Sequence, residues 1–145
     1  FSSKLKINFF MPTAKIEYLG ELRTEAIHLQ SNTAIFTDAP TDNKGKGAAF
    51  SPTDLVATGL ATCMITTMGI KLAERENELK GTTIEVTKIM YSEPRRIGEI
   101  HVKMVIPVND FSDKDQQILI HTAHACPVAK SLHPDIKQIV EIIFQ

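Results

Sequence analysis

The segment from Ser51 to Asn77 constrains this chain more than any other. Ser51 can cap a helix, Pro52 suits the first helical position, and Asp54 faces the positive end of the helix dipole. Helical periodicity then follows: Val56, Leu60, Cys63, Met64, Thr67, Met68, Ile70 and Leu72. The first half, Leu55 to Met64, is small or apolar on every side, and a helix apolar all round is a buried one. From Pro52 to about Asn77 it would be nearly 40 Å long at about 1.5 Å per residue. One small sheet and one short helix give such a helix limited cover. The pattern therefore predicts a homodimer whose helices pack on each other.

The flanking segments read as strands. Ala14–Leu19 and Arg23–Leu29 alternate around Gly20 and Glu21, and Thr33–Thr37 follows. Asp38 to Gly47 is turn chemistry, with Pro40, Asn43, Gly45 and Gly47. Beyond Gly81, Thr83–Tyr91 and Ile100–Val108 alternate and read as a strand pair joined by a Pro94–Gly98 loop. Ser112 caps a second helix with Asp113 and Asp115 in its first turn and Ile118, Leu119 and Ala123 on its apolar side. Cys126 and Pro127 open a short helical turn to about Leu132. Ile136–Phe144 is a last strand. The order βββ-α-ββ-α-β predicts an α+β domain over residues 14–145. Residues 1–13 read as an N-terminal extension or a non-native remnant, with Met11 a possible natural start.

The chain has 145 residues, enough for one domain with its own core. Sixteen basic residues nearly balance seventeen acidic ones. No basic patch or aromatic platform points to nucleic acid, and no consecutive apolar run approaches the about 18 residues that span a bilayer. Two cysteines do not make a secreted disulfide framework, so the expected location is cytoplasmic.

Few residues carry chemistry. Cys63 sits mid-helix among Ala57, Thr58, Gly59, Ala61 and Thr62. Gly59 costs about 1 kcal/mol relative to Ala, so it calls for a packing or access reason. Cys126 precedes Pro127 at a helix start, where an anion is favoured. On local grounds Cys126 is the better reactive thiol, and either cysteine can instead be a packed core residue. His121, His124 and Cys126, with Cys63, could approach metal-ligand spacing, but no C-x-x-C or H-E-x-x-H motif supports a metal. His28, His101 and His133 read as solvated. Arg95 and Arg96 read as an exposed loop.

Two motifs together resemble the OsmC/Ohr family, the osmotically inducible and organic hydroperoxide resistance proteins. SPTDLVATGLATCM, Ser51 to Met64, resembles the family's Pro-led helix carrying the peroxidatic cysteine. HACPVAKSL, His124 to Leu132, resembles its Cys-Pro segment with the resolving cysteine. The cysteines lie 63 positions apart, which also suits the family. The resemblance, of the OsmC-like branch, implies an intertwined homodimer. Its long central helix would pack between small antiparallel sheets, with active sites at the subunit interface. It implies that Cys63 attacks a hydroperoxide and becomes a sulfenic acid. Cys126 then condenses with it to a disulfide, and a dithiol such as a lipoyl group reopens that bond. No cofactor and no metal are implied. Arg23 matches the family's active-site arginine, which lowers the cysteine pKa and orients the peroxide. The family often has Glu after the motif's Pro, where it holds that arginine. Here Thr53 and Asp54 follow, so either Asp54 takes that role or the arginine is held otherwise. The competing reading is a non-catalytic redox-sensing or small-ligand-binding dimer on the same fold.

Overall fold

The structure is a computed structural model that describes residues 11–107 and 109–145. Residues 1–10 of the expected extension, and the Val108 end of one expected strand, lie outside the described residues. The chain divides into two compact units, residues 1–52 and 53–145.

The first unit is a three-stranded antiparallel sheet: β1 (Ala14–Gly20), β2 (Arg23–His28) and β3 (Thr33–Asp38), in that spatial order. Cross-strand partners put Ile16, Ala26 and Ile35 in one row of one face, beside Tyr18, Thr24 and Thr37. Ile16 and Tyr18 are 63% exposed and Ile35 is 46% exposed. Within β3 only Thr37 and Asp38 are buried.

The second unit holds the core. Helix α1 (Pro52–Leu72) packs on a sheet of β4 (Thr83–Tyr91), β5 (Arg96–Ile106) and β6 (Lys137–Phe144). Leu60, Met64 and Met68, at helical spacing on α1, are fully buried with Ile100, Val102, Met104 and Ile106 of β5. The cover is completed by α2 (Asp113–His124), which buries Leu119 and Ala123, and by the short α3 (Pro127–Ser131). Ser112 caps α2 in a reciprocal capping box with Asp115.

Several expectations change. Helix α1 stops at Leu72 rather than near Asn77. Ala73 is left-handed (φ 54°), and a 3-10 stretch runs from Ala73 to Leu79, which turns Leu79 inward. Past Leu72 the sequence has no apolar stripe to prolong, so burying Leu79 decides the path. Arg75 fixes this turn, bonding Glu78 (2.6 Å) and Asp115 (3.3 Å) and lying over the Phe111 ring. Strand β5 begins at Arg96, not Ile100. Gly98, read as a loop residue, is the extra residue of a β-bulge between Ile97 and Glu99. A Cβ there would fall inside the Tyr91 ring. The second sheet is mixed, not antiparallel. β5 and β6 are parallel because the connection through α2 and α3 crosses over and returns the chain in the same direction. Ile118, expected in the core, is 37% exposed, being turned about 100° along the helix from buried Leu119. Finally, α1 with its following turn is long and apolar enough, by length and composition, to cross a membrane. The reading from consecutive apolar residues missed this because Thr and Gly interrupt the run. Its Leu60, Met64 and Met68 are nonetheless spent on the core of the second unit.

Candidate active site

Cys63 and Cys126 are both free and near enough to perturb each other's ionisation. Cys63 stands midway along α1, on the edge of the core, and is half-buried. Cys126 is fully buried and forms the N-cap of α3, accepting the Ala129 N–H at 3.4 Å. Gln138 of β6 donates to the Ala129 carbonyl at 3.1 Å and ties α3 to the sheet.

The two thiols differ in character. Burial pushes Cys63 up, but hydrogen bonds from the Val128 N–H, Thr67 and Cys126 together outweigh it and leave its pKa below the ordinary thiol value. Burial pushes Cys126 up more than the Ala129 and Val128 amides pull it down, and Cys63 adds to the rise. The thiolate therefore belongs on Cys63, with Cys126 the proton donor. Local sequence reasoning favoured Cys126 because of the helix start. The helix start is real, but its Val128 amide also serves Cys63, and full burial outweighs what it offers Cys126. Thr67 lies one turn beyond Cys63. Its hydroxyl is 2.7 Å from the Cys63 carbonyl and 3.8 Å from Sγ, so its contact with the sulfur is the longer and weaker one. The Val128 amide is thus the main support of the thiolate.

Gly59, one turn before Cys63, has no packing reason among the described residues, since a Cβ there meets none of them within 4 Å. Among the described residues no group of three His, Cys, Asp or Glu could hold a metal ion. His121, His124 and His133 are exposed, whereas His101, read as solvated, bonds Glu99 at 2.8 Å. Arg96 opens β5 with its guanidinium over the Tyr91 ring.

Within the first unit, Arg23 is held by a bidentate pair to Asp38, Nε to Oδ1 and Nη2 to Oδ2, both at 2.8 Å. Its guanidinium also lies over Phe36. The hydrogen bonds from Arg23 hold Asp38 below the usual carboxylate range despite its burial. Of the two ways left open for holding the arginine, a carboxylate from its own sheet is thus present. Asp38 could have been found from sequence. Counting outward from the Leu29–Asn32 turn brings it opposite Arg23, the last pair of the β2–β3 ladder. In the second unit, Asp54 Oδ1 takes the Lys88 ammonium at 3.0 Å, and Lys88 also donates to Thr53 at 2.6 Å. Lys88 faces inward from β4, where it interrupts the apolar row of Ile84, Val86 and Met90, a signal that sequence reasoning passed over.

A family described as OsmC-like protein matches residues 45–141, two thirds of the chain and both cysteine segments. The chain belongs to the OsmC-like family. It is 56% identical to a solved protein of Psychrobacter arcticus 273-4, provisionally named as an osmotic stress induced and detoxification response protein. That match covers 92% of this chain and 98% of the other, with a TM-score of 0.86. An organic hydroperoxide resistance protein OsmC from Legionella pneumophila shares the fold at 16% identity, over 93% and 98% of the chains, with a TM-score of 0.68. So does an organic hydroperoxide resistance protein from Vibrio cholerae, solved with captopril in one of its active sites, at 18% identity over 92% of each chain and a TM-score of 0.68. No curated protein sequence matches. OsmC-like membership accounts for the α+β order, the long helix and the two small sheets.

Proposed function

We propose that this OsmC-like protein is a two-cysteine hydroperoxide reductase acting in oxidative-stress defence. The observation that carries the reading is the opposite polarisation of two neighbouring free thiols, Cys63 toward thiolate and Cys126 toward thiol. The Cys63 thiolate attacks the outer oxygen of a hydroperoxide ROOH. The O–O bond breaks, Cys63 becomes a sulfenic acid, and RO⁻ takes a proton to leave as the alcohol. The Cys126 thiol then displaces hydroxide from the sulfenic sulfur. The S–S bond forms, water leaves, and over-oxidation is pre-empted. A dithiol reductant, of lipoyl type in this proposal, reopens the disulfide by exchange and is itself oxidised to a cyclic disulfide.

Arg23, held by Asp38, is assigned the family's peroxide-orienting role, and Asp54 with Lys88 the support of the α1 start. The protein is proposed to act as a homodimer. What supports this is the first sheet, whose Ile16, Tyr18 and Ile35 stand exposed in a three-stranded sheet that needs a covered apolar face to be stable. A reducing compartment such as the cytoplasm suits a couple that must be reopened each cycle. Peroxide consumption with a lipoyl dithiol tests the reading. Cys63→Ser is expected to abolish it, and unchanged consumption by that variant would overturn it.

A further inference from the structure

A hollow of about 430 Å³ lies between the end of α1 and the outer face of α2. Its lining is Lys71 from α1 and Lys114, Gln117, Ile118, His121 and Thr122 from α2. The α2 residues fall at i, i+3, i+4, i+7 and i+8, one stripe of the helix. The opposite stripe, Leu119 and Ala123, is the one spent on the core.

Three features of the hollow agree. Lys71, Lys114 and His121 converge on it, and none has a side-chain hydrogen bond or ion pair among the described residues. Two of the carboxylates close by in sequence are engaged elsewhere, Asp115 with Arg75 and Ser112, and Glu78 with Arg75, while Asp113 and Glu74 do not line the hollow. The lining includes one apolar side chain, Ile118, which is 37% exposed. The size falls within the range of small-molecule clefts.

We infer that this hollow binds an organic anion with an apolar body, of which a medium-chain carboxylate is the simplest form. Two lysines supply point charges for an anion, and the exposed Ile118 side chain calls for hydrocarbon, which inorganic phosphate lacks. Cys63, Thr67 and Lys71 share one face of α1, so the site lies about 12 Å along that helix from the thiol couple. The inference does not rest on the peroxidase reading, because binding is measured with no peroxide present.

The test is an NMR titration of the full chain with octanoate. Saturable shifts centred on Lys71, Lys114, Ile118 and His121 are expected. Octan-1-ol and octyltrimethylammonium should bind at least tenfold more weakly, and inorganic phosphate should not compete. The Lys71→Glu/Lys114→Glu variant should lose octanoate affinity at least tenfold, with the milder Lys71→Gln/Lys114→Gln variant moving the same way. Equal affinity for octan-1-ol, equal binding of phosphate, or unchanged affinity in the charge variants would each overturn the inference. So would protection of Lys71 and Lys114 from amine acylation in the free protein, which would mean that a second copy covers the hollow.

Discussion

The Val128 amide offers the sharpest perturbation of the thiol couple. Val128 is the second residue of α3, so its N–H is one of the orphan donors of a helix start and holds no helical hydrogen bond. Replacing Val128 by its α-hydroxy analogue turns that N–H into an ester oxygen with little change of shape. Cys63 then loses the first of the hydrogen bonds that offset its burial. A hydrogen bond to a charged group contributes about 1.5–3 kcal/mol. At about 1.4 kcal/mol per tenfold, the ester protein should hold about 10- to 100-fold fewer Cys63 thiolates near neutral pH. A more basic thiolate is also a better nucleophile, with a coefficient of about 0.4–0.5, so roughly half of the logarithmic loss survives in the rate. The stoichiometric reaction of Cys63 with an alkyl hydroperoxide should therefore slow about 3- to 10-fold near pH 7, with the deficit closing as pH rises past the new pKa. Stopped-flow pH–rate profiles of the two proteins measure this. Superimposable profiles would refute the argument that the α3 amide sets the thiolate.

Other consequences can be checked singly. Cys126→Ala should still react once with peroxide but pass on to the sulfinic acid, seen by intact mass, and should lose about 1 kcal/mol of stability with its α3 cap. Gly59→Ala places a methyl in open space, so each chain should gain about 0.5–1 kcal/mol of thermal stability. If the proposed dimer packs helices there, its dissociation constant should rise at the same time, as read by analytical ultracentrifugation. Asp38 has a depressed folded-state pKa, so its contribution is present above the ordinary carboxylate pKa of about 3.9 and is lost as pH falls through the folded value. Melting temperatures of Asp38→Asn should thus lie below those of the native protein at neutral pH and converge with them in acid. A constant gap would count against the Arg23–Asp38 pair.

Much of this site was legible in the sequence, and the illegible part has a common cause. Pro52 and the apolar stripe of α1 marked the central helix, and Ser112 with Asp115 marked α2, because caps and periodicity act over a few residues. The cysteine pair was visible only as two segments 63 positions apart. Which one ionises was not, since the answer depends on how fully Cys126 is buried and on where one backbone amide of α3 points. Gly98 looked like a turn because turn and bulge draw on the same freedom from Cβ. Only the Tyr91 ring opposite distinguishes them. Lys88 interrupts the apolar row Ile84, Val86 and Met90 on the inward face of β4, a local signal of a buried partner, but nothing local named Asp54 as that partner. The parallel β5–β6 pair depended on the crossover path, which strand patterning does not encode.

The central claim is that Cys63 and Cys126 are one redox couple. It is tested most directly by titrating thiols before and after one equivalent of an alkyl hydroperoxide, followed by peptide mapping. The account predicts loss of both thiols of each chain and an intrachain Cys63–Cys126 disulfide, with Cys63→Ser unreactive. Retention of both thiols, or a product in which Cys126 alone is oxidised, would contradict it.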